Sequence, residues 1–257
     1  MDRFTIEAAG NNHINVLEVI GNASIGGMEN YLTNFISHLP ENIHLTCICP
    51  YESLFTASLR QLGVAHVYIT PIEDDPSWRS IQLAVEVSRL YKTDVLHAHM
   101  PKAHVLAGIA GKLLGKPVVA TVHGMNVTAQ EIGITRAVES HLITNCQESY
   151  IQALAMGIPS NHVTLIRNGV NTVINAPESA AADLRKLIKV AGNTPLIGFV
   201  GRLEFEKGPD LFLRAAEYVH HLHPDAHFII VGEGTMSDEL EIMCKQMRIN
   251  RHVHFLG

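Results

Sequence analysis

The chain carries little charge, few cysteines and no long apolar run, and each shortage excludes a class of protein. No uninterrupted apolar stretch approaches the ~18 to 20 residues a membrane helix needs. The first apolar run, Ile14–Ile20, is short and interrupted by Glu18, so no secretory leader is expected. Peripheral contact at the inner face of a membrane stays open. The cysteines are four: Cys47, Cys49, Cys146 and Cys244. None forms a Cys-x-x-Cys pair. Cys47 and Cys49, two apart on one strand, are poorly placed to bridge each other. All four are expected to be reduced core residues of a cytoplasmic protein. Charged residues are 17% of the chain against 47% hydrophobic, which excludes disorder and predicts a packed core. Net charge is −6 with no basic stripe, so a nucleic-acid partner is not expected. No internal repeat or low-complexity segment occurs.

What is present is an alternation of strand and helix. Strand-length apolar runs fall at Ile14–Ile20, His44–Cys49, His66–Ile69, Val95–His97, Val118–Val122, Leu142–Asn145 and Val163–Ile166. Segments of helical period separate most of them. Near-continuous apolar strands alternating with amphipathic helices imply a parallel sheet covered on both faces, a doubly wound α/β domain over residues 1–170. Residues 171–193 read as a connection, with a short helix expected at Ala180–Val190. A second strand–helix series occupies 194–257, with strands at Leu196–Val200, His227–Val231 and His252–Leu256. About three strands make a small sheet. The last strand has no helix after it, which predicts a continuation, a completing chain or an exposed apolar edge.

Ligands of open α/β sheets bind beyond the carboxyl ends of the strands. Strand one is followed by Gly26-Gly27-Met28-Glu29, where glycine lets the backbone approach a ligand and a helix N-terminus favours an anion. This is neither a Gly-x-Gly-x-x-Gly fingerprint nor a P-loop. Strand four ends His97-Ala98-His99. A metal is set aside there, because no acidic partner lies close in sequence. Strand five delivers His123, followed by Gly124, toward the ligand end, where His123 reads equally as a site residue or a satisfied core histidine. Asn168-Gly169 favours a tight turn. After Val200 comes Gly201-Arg202-Leu203-Glu204-Phe205-Glu206-Lys207-Gly208, then Pro209 at a helix start. Two cations beside a helix N-terminus suit a diphosphate; the competing reading is that Arg202 and Lys207 merely pair with Glu204 and Glu206 at the surface, and position after a strand favours the site. Gly232-Glu233-Gly234 forms another glycine-rich turn at a carboxyl end.

In order, Gly26-Gly27-Met28-Glu29, Asp94–His99, Thr121–Gly124, Asn168-Gly169-Val170, Gly201-Arg202 with Lys207-Gly208, and Val231–Gly234 resemble glycosyltransferase family 4 over nearly the whole chain. The resemblance implies a GT-B fold, with an N-terminal acceptor-side Rossmann-like domain and an incomplete C-terminal donor-binding one. It implies a retaining transferase using a nucleotide-diphospho-sugar donor, without metal or cofactor. Arg202 and Lys207 would hold the donor diphosphate, with Gly27 and its helix nearby. His123 would contact the donor sugar close to the reacting carbon. Gly26, Asn168, Gly169, Gly201 and the Gly232, Glu233, Gly234 turn would line the donor site. The acceptor is left open among glycan, lipid and small molecule. A typical member continues past Gly257 with two glutamates seven residues apart and a final crossing helix. Asn171 stands where the family usually has an acidic residue. Two other functions compete: a sugar-nucleotide-binding or partner subunit completed by another chain, and a nucleotide-sugar epimerase of the same fold.

Overall fold

The computed structural model describes residues 13–24, 26–169 and 184–257. The chain forms two compact units, Met1–Asn171 and Thr172–Gly257. The expected connection at 171–193 lies partly outside the described residues. Of the helix expected at Ala180–Val190, residues 184–187 are helical and 180–183 are not described.

The first unit holds a seven-stranded sheet: β1 (Ile14–Ile20), β2 (Ile43–Cys49), β3 (His66–Ile69), β4 (Val95–His99), β5 (Val118–Val122), β6 (His141–Thr144) and β7 (Val163–Leu165). Every pairing is parallel, in the order β3-β2-β1-β4-β5-β6-β7. Among the described residues six helices alternate with the strands: α1 (Gly27–Ser37), α2 (Leu54–Gln61), α3 (Trp78–Leu90), α4 (Pro101–Leu114), α5 (Ala129–Val138) and α6 (Gln147–Ala155). Their starts follow local chemistry. Ser53 with Thr56 and Thr128 with Glu131 form reciprocal capping boxes at α2 and α5. Pro101 opens α4, and Gly115, left-handed at φ 63°, ends it. One core runs through Leu17, Val19, Leu96, Ala98, Leu106 and Leu142; a second, through Ile20, Leu32, Cys47 and Leu59, includes α1 and α2. Burying each such leucine or isoleucine contributes about 1.5–3 kcal/mol.

Two details differ from the sequence expectation. β4 runs to His99, two residues past the end of its apolar run, because it pairs with β1 as far as Ile20 and with β5 as far as Thr121. The cysteines are all free, and Cys47, Cys49 and Cys244 are buried while Cys146 is half-buried. Among the described residues no helix is long and apolar enough to cross a membrane.

The second unit holds β8 (Leu196–Val200), β9 (His227–Val231) and β10 (Val253–Phe255), parallel in the order β10-β9-β8. Helices α7 (Pro209–Leu222) and α8 (Ser237–Gln246) pack on it around Leu213, Phe228, Ile230, Leu240 and Cys244. The sequence pointed to the last strand as the uncovered one. In the structure β10 and β8 are both edge strands: Val253 of β10 is buried but Leu256 just past it is exposed, and β8 is open as well, with Val200 80% exposed.

Candidate active site

Strand order reverses in the first unit between β1 and β4, and ligands of doubly wound sheets bind at such a reversal. Pairing there puts Glu18 beside His97, Ile20 beside His99, and His99 beside Thr121. Side chains alternate along a strand. Glu18, His97, His99, Thr121 and, just past β5, His123 therefore share one face. The result is a polar stripe inside an otherwise apolar interior.

The stripe is hydrogen-bonded from end to end. Glu18 Oε1 lies 3.1 Å from His97 Nδ1, and Oε2 lies 2.8 Å from His99 Nε2. His97 Nε2 meets Thr121 Oγ1 at 2.8 Å. His99 Nδ1 meets His123 Nε2 at 2.9 Å. Tyr31 of α1 closes edge-on against the His123 ring, 5.0 Å between centroids, and Phe35 stands edge-on to His97. Burial pushes the Glu18 carboxyl up, but His97, by its charge and hydrogen bond, and the hydrogen bond from His99 outweigh it and hold it at about 2. Burial, then the neighbouring His99 and His97, push His123 down to about 3. Burial first, and His97 second, also lower His99, against the opposing pull of Glu18. At neutral pH the stripe holds a carboxylate with His99 and His123 uncharged.

The ground on which the sequence set a metal aside fails here. His97 and His99 do have an acidic partner, brought by the fold from β1, and ligand atoms of Glu18, His97 and His99 lie within 4.8 Å of one another. The carboxylate oxygens already bond directly to both imidazoles. No side-chain nitrogen or oxygen of these three is a buried orphan.

Gly26 and Gly27 lead into α1. A Cβ on Gly27 would meet nothing within 4 Å, so space opens beside the helix N-terminus. The loop before it is tied down. Asn22 donates to Glu29 Oε1 at 2.9 Å and accepts from the Tyr51 hydroxyl at 2.7 Å. Gly21 donates its N–H to the His99 carbonyl, and an added Cβ would lie 3.0 Å from that oxygen. Beyond His99, Met100 adopts φ 82°, a conformation few side chains tolerate. Asn168 is exposed, and the Gly169 carbonyl accepts from Asn34 Nδ2 of α1 at 3.3 Å.

The second unit arranges its candidates differently. The Gly201–Gly208 loop is laced to the turn after β9. Gly201 donates to the Val231 carbonyl, Leu203 to the Glu233 carbonyl, and Met236 to the Leu203 carbonyl. Leu203 is buried, and the Glu204 carboxylate accepts from the Thr235 hydroxyl and N–H. The two backbones touch so closely that a Cβ on Gly232, at φ 135°, would collide with the Gly201 carbonyl oxygen. Gly234 is as tightly placed against Leu203. Both glycines thus have a packing reason of their own. Arg202 pairs with Glu206 at 2.9 Å, both largely exposed. Lys207 is exposed and makes no ion pair among the described residues. Gly208, left-handed at φ 67°, turns the chain into α7, whose N-terminus no side chain caps. His123 and its stripe thus assemble in one unit, and Arg202, Lys207 and the Gly232–Gly234 turn in the other.

Glu18 was missed in the sequence. Its signal was available: one charge interrupting an apolar strand-length run, which inside a parallel sheet is costly unless bonded.

Two Rossmann-like units in series, each with glycine turns at the carboxyl ends of parallel strands, define a protein of the GT-B type. The chain belongs to glycosyltransferase family 4. Residues 25–173 match "Glycosyltransferase Family 4", and residues 180–257 match "Glycosyl transferases group 1". The chain is similar to the UDP-Gal:alpha-D-GlcNAc-diphosphoundecaprenol alpha-1,3-galactosyltransferase of Escherichia coli, 28% identical over 183 residues, 65% of this chain and 47% of that protein. It is also similar to an uncharacterized glycosyltransferase of Methanocaldococcus jannaschii, 26% identical over 183 residues with the same coverage of 65% and 47%. Among solved structures, Anabaena HepE in complex with UDP and glucose has a TM-score of 0.79 at 21% identity, covering 95% of this chain and 69% of that one. That likeness is one of fold. The chain spans about half the length of the curated relatives it matches.

Proposed function

We propose that this chain belongs to a retaining glycosyltransferase that moves a sugar from a nucleoside-diphospho-sugar to an acceptor, and that its second unit grips the donor diphosphate. The supporting observation is the loop between β8 and α7. It offers Arg202 and Lys207 to solvent beside an uncapped helix N-terminus, on a backbone fixed by Leu203 and the Glu204–Thr235 bonds.

The chemistry follows from where charge develops. As the bond to the anomeric carbon lengthens, negative charge grows on the departing diphosphate. Fixed cations and helix N–H groups stabilise it without reorganising. The Arg202–Glu206 pair is a surface pair and contributes little to stability, so the guanidinium can exchange a carboxylate for a phosphate at small cost. Two cations and a helix terminus are the metal-free way to offset a diphosphate. The sugar becomes oxocarbenium-like, and a leaving phosphate that takes the acceptor proton on the same face gives retention. His123 is the residue of the first unit assigned to the donor sugar. The Escherichia coli relative, named for a GlcNAc-diphosphoundecaprenol acceptor, supports an acceptor at a membrane surface, reached by peripheral contact.

The test is calorimetric titration of UDP and GDP into the intact chain. The Arg202→Ala and Lys207→Ala variants are each expected to weaken the bound nucleotide about tenfold or more, the loss of one charge-assisted contact. Affinities equal to the parent in both variants would falsify the assignment.

A further inference from the structure

The stripe between β1, β4 and β5 is more than a buried polar cluster, because its hydrogen bonds have a direction. Glu18 is ionised and can only accept. Its Oε2 stands 2.8 Å from His99 Nε2, so that nitrogen carries the proton and donates. A bare Nε2 would oppose lone pair to lone pair at that distance. An uncharged His99 then has a bare Nδ1, which must accept. The atom facing it at 2.9 Å is His123 Nε2, which therefore donates. An uncharged His123 protonated at Nε2 has a bare Nδ1. No hydrogen bond within the described residues engages that nitrogen, while Asn145 Nδ2 holds the His123 carbonyl at 3.2 Å and Tyr31 abuts the ring.

We propose that Glu18 and His99 are positioning residues for His123: the carboxylate, acting through the shared imidazole, fixes His123 as its Nε2–H tautomer and turns a bare Nδ1 toward the site as a hydrogen-bond acceptor. The ligand this suits is a group that donates a hydrogen bond, such as a sugar hydroxyl. His97 is the second arm of the same carboxylate. It anchors Oε1 and is itself tied to Thr121, so Glu18 cannot rotate away from His99 without breaking two bonds. The tautomer of a histidine is set by the bond its other nitrogen makes. Here that bond runs through two residues to a carboxylate on a different strand. An ion among Glu18, His97 and His99 would need His99 Nε2 bare. It would reverse the whole chain, making His99 donate to His123.

The consequence for binding rests on the donor-contact reading of His123 given above; the tautomer does not. The test therefore has two readouts. Long-range proton–nitrogen NMR on histidine-labelled protein at pH 7.5, with no donor present, should show His99 and His123 both protonated at Nε2 and bare at Nδ1. In Glu18→Gln, which keeps the shape but can donate as well as accept, both residues should show mixed tautomers. Affinity for whichever of UDP-glucose, UDP-galactose or GDP-mannose binds the parent should fall about tenfold, the loss of one oriented hydrogen bond, with no change for UDP or GDP alone. Wild-type His123 protonated at Nδ1 overturns the proposal. So does an unaltered Nε2–H pattern in Glu18→Gln, or stoichiometric Zn2+ uptake that shifts His99 Nε2 to a metal-bound resonance. If the tautomers are as stated and no nucleotide sugar binds, the relay stands and the donor reading fails.

Discussion

Glu18 of the first unit and Arg202 of the second place a charged side chain in opposite ways. In the first, Glu18 is 1% exposed and spends both oxygens on buried imidazoles. In the second, Arg202 and Glu206 form one bond with side chains 64% and 61% exposed. A buried, fully bonded group is rigid and can set the protonation of its neighbours. An exposed pair is cheap to break and can change partners. The first unit thus holds a preset orientation, and the second holds cations ready for a ligand.

The sharpest way to break this comparison is to delete one carboxylate from each unit. Glu18→Ala should destabilise the first unit by about 3–5 kcal/mol, because the donors of His97 and His99 are left buried without their acceptor. Urea unfolding with hydrogen exchange resolved by unit measures it, and a loss below about 1 kcal/mol would mean that the network contributes no more than a surface pair. Acid separates the units next. His104, buried on α4 and bonded to Ser140 through Nε2 at 2.8 Å, is pushed by burial from its ordinary 6.5 down to about 4. His123 and His99 shift the same way. Between those values the unfolded chain binds more protons, so this stability is complete above pH 6.5 and lost as pH falls. For His104 alone the loss by pH 4 is on the order of 3 kcal/mol. The first unit should open at milder acidity than the second, whose shifted histidines are more exposed, and His104→Leu should flatten the slope. A second unit that opens first would reverse the assignment. The smallest effect is expected from Glu206→Ala: no measurable change in stability, but tighter nucleoside diphosphate binding as Arg202 loses its competing carboxylate.

Much of the fold was legible. β1, β3, β5, β8 and β9 begin and end where the apolar runs do. The helices fall between the strands as the alternation implied, and their ends are set by local chemistry such as the caps at Ser53 and Thr128 and the Pro101 and Gly115 boundaries of α4. The glycine turns were legible as turns. Their cause was not: Gly232 and Gly234 are required by the backbone of Gly201–Leu203, a contact between segments about thirty residues apart in sequence. The apolar run of β4 stops at His97, and only the neighbours β1 and β5 show that pairing carries on through His99.

The sequence by itself determined the alternation of strand and helix, the two-unit series and the family motifs, because apolar period, turn residues and caps act over a few positions. It also placed His97 and His99 on one face, since the side-chain period of a strand is two. Only the tertiary structure decided what that face is for. Glu18 and His99 are 81 residues apart, and nothing local says that β1 lies against β4. That adjacency turns a charge that merely interrupts an apolar run into the acceptor that orients two histidines. The physical reason is that a strand's period fixes which side a residue faces, whereas the order of strands in the sheet fixes whom it meets.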